Sequence, residues 1–174
     1  MEKKDASAAL KGSLAIVCDT REQWPFLFAG EAYAGTTVVQ GKLATGDYSV
    51  RGLENRIAIE RKGSIDELCL CLGRERQRFE NELQRAKGLD AFAVVVEGTW
   101  QDLAQGKYRS KMSPKSACAS VLAFMARGTP FMFAGTKKSA EWITYSLLKF
   151  YAQDRLRELR MLEKSLNEPE DGRP

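Results

Sequence analysis

The stretch GDYSVRGLENRIAIERKGSID, residues 46–66, limits the possible folds more than any other part of this 174-residue chain. Within it, RIAIERK alternates as a half-buried strand does, with Ile57 and Ile59 on one face and Ala58, Glu60 and Lys62 on the other. A carboxylate and an ammonium two residues apart on a strand share a face. Directly after them, Ser64 followed by Glu67 is a capping-box pattern, in which the serine takes a free helical N–H and the glutamate reaches back. The segment therefore predicts a strand that hands over at once to a helix. Residues 47–51 and 56–62 read as a hairpin turning at GLEN.

The remainder is consistent with that start. SLAIVCD (13–19) reads as a buried strand with Asp19 at its C-terminal end, followed by a loop broken by Pro25 and Gly30 and by a second strand over 37–40. Helix is expected through DELCLCL, interrupted at Gly73, resumed through RERQRFENELQRAK and stopped at Gly88. AFAVVVEG is a continuous apolar run, as in a strand buried on both faces. Ser113 and Pro114 open a helix to about Arg127–Gly128, PFMFAG is a last strand, and a long helix spans about 138–166. This order predicts an α/β fold, a mixed central sheet flanked by helices on both faces. A single domain is expected over 13–166, with disordered ends at 1–12 and 167–174.

Composition narrows the chemistry. The chain has no histidine, which excludes a Ser-His-Asp or Cys-His mechanism, a His-ligated zinc site and a histidine general base. Cys18, Cys69, Cys71 and Cys118 form no CxxC pair and read as reduced, buried small hydrophobes. No apolar run approaches the ~20 residues of a membrane span. The N-terminus lacks the apolar core of a signal peptide, so a cytoplasmic (or nucleoid-associated) protein is expected. The net charge of +4 is mild, but residues 73–87 and 106–115 are locally basic. Basic patches beside an acidic centre suit a phosphate-backbone substrate; solvated helix and loop faces are the plain alternative.

Cleaving a phosphodiester with a metal requires a hard cation on oxygen ligands, an activated water and positive charge for the developing phosphorane. Asp47 and Glu60, on neighbouring strands of the hairpin, are the natural ligands, since Mg²⁺ takes one or two protein carboxylates and keeps its waters. Lys62 is placed to orient or deprotonate the water and to stabilise the transition state. Asp19, with Glu22 just beyond, offers further carboxylates. Each piece also has a structural reading: Asp19 capping a turn, Asp47 shaping the GDY turn, Asp66 favoured by a helix N-terminus.

VCDTREQ, GDYSV, ERKGSID and GRERQRFENEL, in this order, resemble the nuclease domain of the XPF/Hef family of structure-specific endonucleases, with its GD…ERKxxxD signature. The resemblance covers nearly all of residues 14–135. It implies a restriction-endonuclease-like fold of the PD-(D/E)xK type and a Mg²⁺- or Mn²⁺-dependent endonuclease that nicks branched, flap or fork DNA. It further implies that Asp47 and Glu60 are metal ligands, with Asp19 and Glu22 in the same acidic cluster, and that Lys62 is the catalytic lysine. Arg21, Arg61 and Asp66 would complete the catalytic site, Arg21 near the scissile phosphate, Arg61 structural or meeting Asp66 or Asp19, and Asp66 as the last acid of the ERKxxxD element. Arg74, with Arg78 on the same basic segment, would contact the DNA backbone.

Family members usually carry a tandem helix-hairpin-helix module after this domain, whereas the sequence beyond PFMFAG reads as one long helix without GxG hairpin pairs. Junction recognition in cis by that module is therefore not expected. In that helix, Leu148, Ala152, Leu159, Leu162 and Leu166 follow an approximate heptad, and a homodimer is expected, as the resemblance implies. Lys107, Tyr108, Arg109, Lys111 and Lys115 combine cations with one aromatic, as single-strand grooves often do. Two other readings remain at this level: a non-catalytic DNA-binding or assembly module, and a nuclease of the same fold with a different substrate.

Overall fold

The computed structural model describes residues 14–167. Its strands are β1 (Leu14–Asp19), β2 (Thr36–Gly41), β3 (Tyr48–Val50), β4 (Ile57–Lys62), β5 (Ala91–Val96) and β6 (Phe131–Phe133). They join in one mixed sheet ordered β2-β1-β3-β4-β5-β6. β3 runs antiparallel to both its neighbours, and the other pairs are parallel. The helices are α1 (Ile65–Leu72), α2 (Arg76–Ala86), α3 (Trp100–Ala104), α4 (Pro114–Ala126) and α5 (Lys137–Asn167).

Side-chain alternation sorts the core into two layers. Ile57 and Ile59 join Ile16, Tyr48, Val50 and Val95 under Tyr145 and Leu148 of α5. On the opposite face, Val94 and Val96 pack against Leu68 and Leu72 of α1, Phe79 and Leu83 of α2, and Val121 and Phe124 of α4. β5 thus sends alternate valines to both layers, which is why its sequence is unbroken apolar rather than alternating. The edge strand β2 is largely exposed.

Local signals explain most boundaries. Ser64 Oγ accepts from Glu67 N–H at the start of α1, while the Glu67 carboxylate takes Gly63 N–H rather than that of Ser64. Gly73 ends α1, and Gly88 sits just beyond the cap residue of α2. Ser113 caps α4 with Pro114 in its first turn, and Gly128, at φ +93°, follows its end. The sequence reading missed α3, a single turn closed by a capping box between Thr99 and Asp102. The end segment expected over 1–12 and residues 168–174 of the one expected over 167–174 lie outside the described residues, whereas Asn167 belongs to α5. No helix among the described residues is long and apolar enough to cross a membrane.

The β1–β2 connection matters for the site. Phe26, Phe28 and Tyr33 point inward and are buried, and Phe26 stacks on Tyr48 with ring centroids 5.2 Å apart. Tyr48 is wholly buried, and its hydroxyl accepts the Phe26 N–H at 2.9 Å. Tyr48→Phe keeps the stacking but leaves that N–H unpaired in the core. A loss of about 1–3 kcal/mol is expected, read as a lower urea midpoint at unchanged slope.

Candidate active site

The position of Asp47 is set by the glycine before it. Gly46 has φ +76°, and a Cβ there would lie 2.9 Å from Ala58 Cβ and 3.2 Å from the Ile59 carbonyl oxygen. Only glycine lets the backbone run this close to β4. Asp47 N–H then donates to the Ile59 carbonyl, and the Asp47 carbonyl accepts from Asp19 N–H, each at 2.8 Å. The antiparallel register that pairs Tyr48 with Ile59 sets Asp47 across from Glu60. The Asp47 carboxylate accepts the Arg61 N–H at 2.7 Å.

Glu60 and Lys62 lie side by side on the neighbouring strand, 4% and 6% exposed. Lys62 Nζ donates to Glu60 Oε1, lies 5.2 Å over the Phe79 ring and stands 3.8 Å from a Glu67 oxygen. The second oxygen of Glu60 is buried and has no hydrogen-bond partner. These groups open into a cleft of about 420 Å³, lined also by Arg21, Glu22, Trp24, Cys71, Arg78 and Glu82.

Burial, first of all, pushes the Asp47 carboxyl up to about 7; the Arg61 N–H and the Lys62 charge only partly offset it. Burial and then the neighbouring Asp47 charge raise Glu60 well above the ordinary carboxylate range. Burial acts to lower the pKa of Lys62, but the facing Glu60 carboxylate outweighs it and keeps the ammonium protonated. Without a cation, the site therefore holds protons near neutrality that the unfolded chain would release.

Arg61 points to the other face of β4, as the alternation requires. Its guanidinium lies 5.0 Å from the Phe26 ring centroid and pairs with Glu97 at 2.7 Å and Glu22 at 3.2 Å. Its partners are thus not Asp66 or Asp19. Glu97 follows β5, the parallel neighbour of β4, and so arrives at the same sheet end.

The structure does not gather every residue singled out in the sequence. Asp19 is 1% exposed, but its oxygens accept from Arg21 N–H, Arg21 Nε and Nη2, and Leu43 N–H. Burial works to raise its pKa, yet Arg21 and the backbone donors hold it below its ordinary value. Asp19 shapes a turn and does not line the cleft. Glu22 lines the cleft, with one oxygen shared between Arg61 and the Trp24 N–H. Among the described residues, no three Asp, Glu or Cys side chains converge as a metal site built from protein alone would require.

Asp66 sits in the first turn of α1 and accepts from the Arg109 backbone N–H and guanidinium, outside the cleft. Lys107 pairs with Asp102, and Lys111 is exposed. Tyr108 packs against the core and donates its hydroxyl to the Met112 carbonyl, so it is no free stacking surface. Arg74 is exposed at the α1–α2 break, whereas Arg78, paired with Glu75, does reach the cleft rim. Sequence reasoning missed Glu82, which α2 brings to the Gly46 N–H and whose charge raises both Asp47 and Glu60. The spacing Arg78–Glu82 on one helix face was the available signal.

A carboxyl with its pKa raised in the folded state binds protons more tightly there than when unfolded. The Asp47 contribution to the stability of the metal-free protein therefore falls as pH rises from about 4 to about 7 and is constant above its own titration. Asp47→Asn retains an acceptor for the Arg61 N–H and removes the charge. It should stabilise the metal-free protein by up to a few kcal/mol at pH 8, with the gain vanishing near pH 4. Chemical denaturation across that range in EDTA measures it.

No family model and no curated protein sequence matches the chain. Solved structures do match. XPF from Aeropyrum pernix superposes with a TM-score of 0.59 at 21% identity, covering 79% of this chain. XPF from the same organism in complex with DNA gives 0.63 at 23% identity, covering 81%. This chain spans 61% and 66% of the length of those chains. The shared fold is that of the XPF nuclease domain, restriction-endonuclease-like, with a mixed central sheet flanked by helices.

Proposed function

We propose that the chain is a divalent-metal-dependent DNA endonuclease that hydrolyses phosphodiester bonds in branched, flap or fork DNA. The observation that carries this reading is the unpartnered buried oxygen of Glu60, across from Asp47 and beside the Lys62 ammonium. Two desolvated carboxylates repel one another, and a cation between them removes the penalty that raises both pKa values. The donors are hard oxygens, two in number, which suits Mg²⁺ or Mn²⁺ completed by water. Asp47 and Glu60 would hold it. When bound, such a cation polarises a phosphoryl oxygen and acidifies a coordinated water.

The chain's own groups do the rest. Lys62, kept charged by Glu60 and steadied over Phe79, offers a fixed ammonium to the negative charge that grows on phosphorus. A permanently protonated lysine suits that role better than a base. Arg21, bound to Asp19 yet 63% exposed, provides a guanidinium at the cleft rim for a non-bridging phosphate oxygen. Fold likeness to XPF solved with DNA supports DNA as the partner. Asp66 and the loop with Lys107, Arg109 and Lys111 are assigned to contacts outside the cleft.

The proposal extends to a homodimer. The first half of α5 is covered by the sheet through Ala140, Tyr145, Leu148 and Ala152, whereas Leu159, Met161, Leu162 and Leu166 are 59–84% exposed. A second copy of this helix, laid along its approximate heptad, is the occupant of that face. Light scattering should give a mass that falls from dimer to monomer on dilution, and earlier for Leu159→Glu/Leu162→Glu; a constant monomer mass removes the dimer.

Catalysis is tested with labelled single-strand, duplex, splayed-arm, 3′-flap and fork DNA. Cleavage is expected with Mg²⁺ or Mn²⁺ and none in EDTA. Asp47→Asn, Glu60→Gln and Lys62→Met should each slow it by about a hundredfold or more. Cleavage that survives either carboxylate substitution contradicts the site, and DNA binding without cleavage by the parent favours the assembly-module reading.

A further inference from the structure

The β1–β2 connection carries Trp24, Phe26, Leu27 and Phe28, and their exposures run 73%, 1%, 76% and 4%. Core packing accounts for the buried pair. Nothing in the core uses Trp24. A single exposed aromatic is ordinary on a protein surface; four observations set this one apart.

Trp24 lines the cleft that holds Asp47, Glu60 and Lys62. Its backbone is fixed there, because its N–H donates at 2.7 Å to the Glu22 oxygen that also accepts from Arg61. Its support is rigid: the next residue is Pro25, Phe26 is locked under Tyr48, and Phe28 lies among Tyr33, Tyr48 and Tyr145. Two exposed guanidiniums, Arg21 at 63% and Arg78 at 82%, line the same cleft.

From this placement we infer that Trp24 is a stacking platform for an unpaired DNA base next to the cleaved phosphate. The inference rests on the endonuclease reading and sharpens its substrate. A flat indole in a cleft also lined by cations takes a base by its face and the flanking phosphates by charge. Bases within a duplex have both faces covered by their neighbours and remain paired, so the platform selects DNA that presents a single-stranded nucleotide at the cleft. Indole and guanidiniums thereby distinguish tailed from blunt DNA without reading sequence.

The test measures affinity by fluorescence anisotropy in Ca²⁺, for a blunt duplex and for the same duplex with a 3′ or a 5′ single-stranded tail. Trp24→Ala should bind the preferred tailed DNA about tenfold more weakly and the blunt duplex unchanged, with Trp24→Phe within about threefold of the parent on both. Because the indole is exposed, unchanged circular dichroism and melting are expected for both variants. Equal loss on tailed and blunt DNA, no loss, or a Trp24→Phe chain as weak as Trp24→Ala overturns the stacking role. A parent that cleaves DNA while Trp24→Ala keeps its preference overturns this inference alone. A parent that neither binds nor cleaves any of these DNAs overturns the endonuclease reading with it.

Discussion

A buried carboxylate–ammonium pair at the end of β4 sets the terms for everything around it. Desolvating Glu60 and Lys62 is unfavourable, and their attraction offsets that only where geometry is tight. Stripping one partner from such a pair commonly costs ~3–5 kcal/mol, because the survivor stays buried and uncompensated. Here the compensation is partial by construction. One Glu60 oxygen has Lys62, the other has nothing, and Asp47 adds a second negative charge across the strand pair. That uncompensated charge is the feature the proposed cation would offset.

The opposite face of the same strand end meets its charge differently. Arg61 pairs with two glutamates from two other segments, and the Phe26 ring lies 5.0 Å from its guanidinium. That network ties the β1–β2 connection to the end of β5 through β4. It makes the frame in which Glu22 and Trp24 are held, and Lys62 works against a fixed wall. The alternation of a strand thus separates two electrostatic jobs by a single residue: one face finished, the other left open.

What the sequence disclosed follows from range. The strand pattern of 57–62, the cap at Ser64, the break at Gly73 and the two-sided apolar run of β5 depend on neighbours within a turn or a pleat, and all were legible. Asp47 beside Glu60 was legible too, because a short hairpin fixes its own register. The partners of Arg61 were not, since Glu22 and Glu97 lie 39 and 36 residues away. The donors that fill the Asp19 oxygens were not legible either. These donors, Arg21 and Leu43, include a side chain two residues on, and a local turn that saturates a carboxylate has the same sequence as one that leaves it free.

Asp19 differs from the two cleft carboxylates in how its charge is met. With four donors on its oxygens and a pKa held low, Asp19 is stable as a carboxylate without any cation. Asp47 and Glu60 are the reverse: under-bonded, raised, and facing one another. A cation gains most where carboxylates lack donors, so under the proposed function it would bind those two more readily than Asp19, which holds Arg21 at the rim. If the proposal holds, a site with two protein ligands would keep most of the metal's coordination for water and phosphate oxygens, the reactants that hydrolysis of a phosphodiester has to bring together.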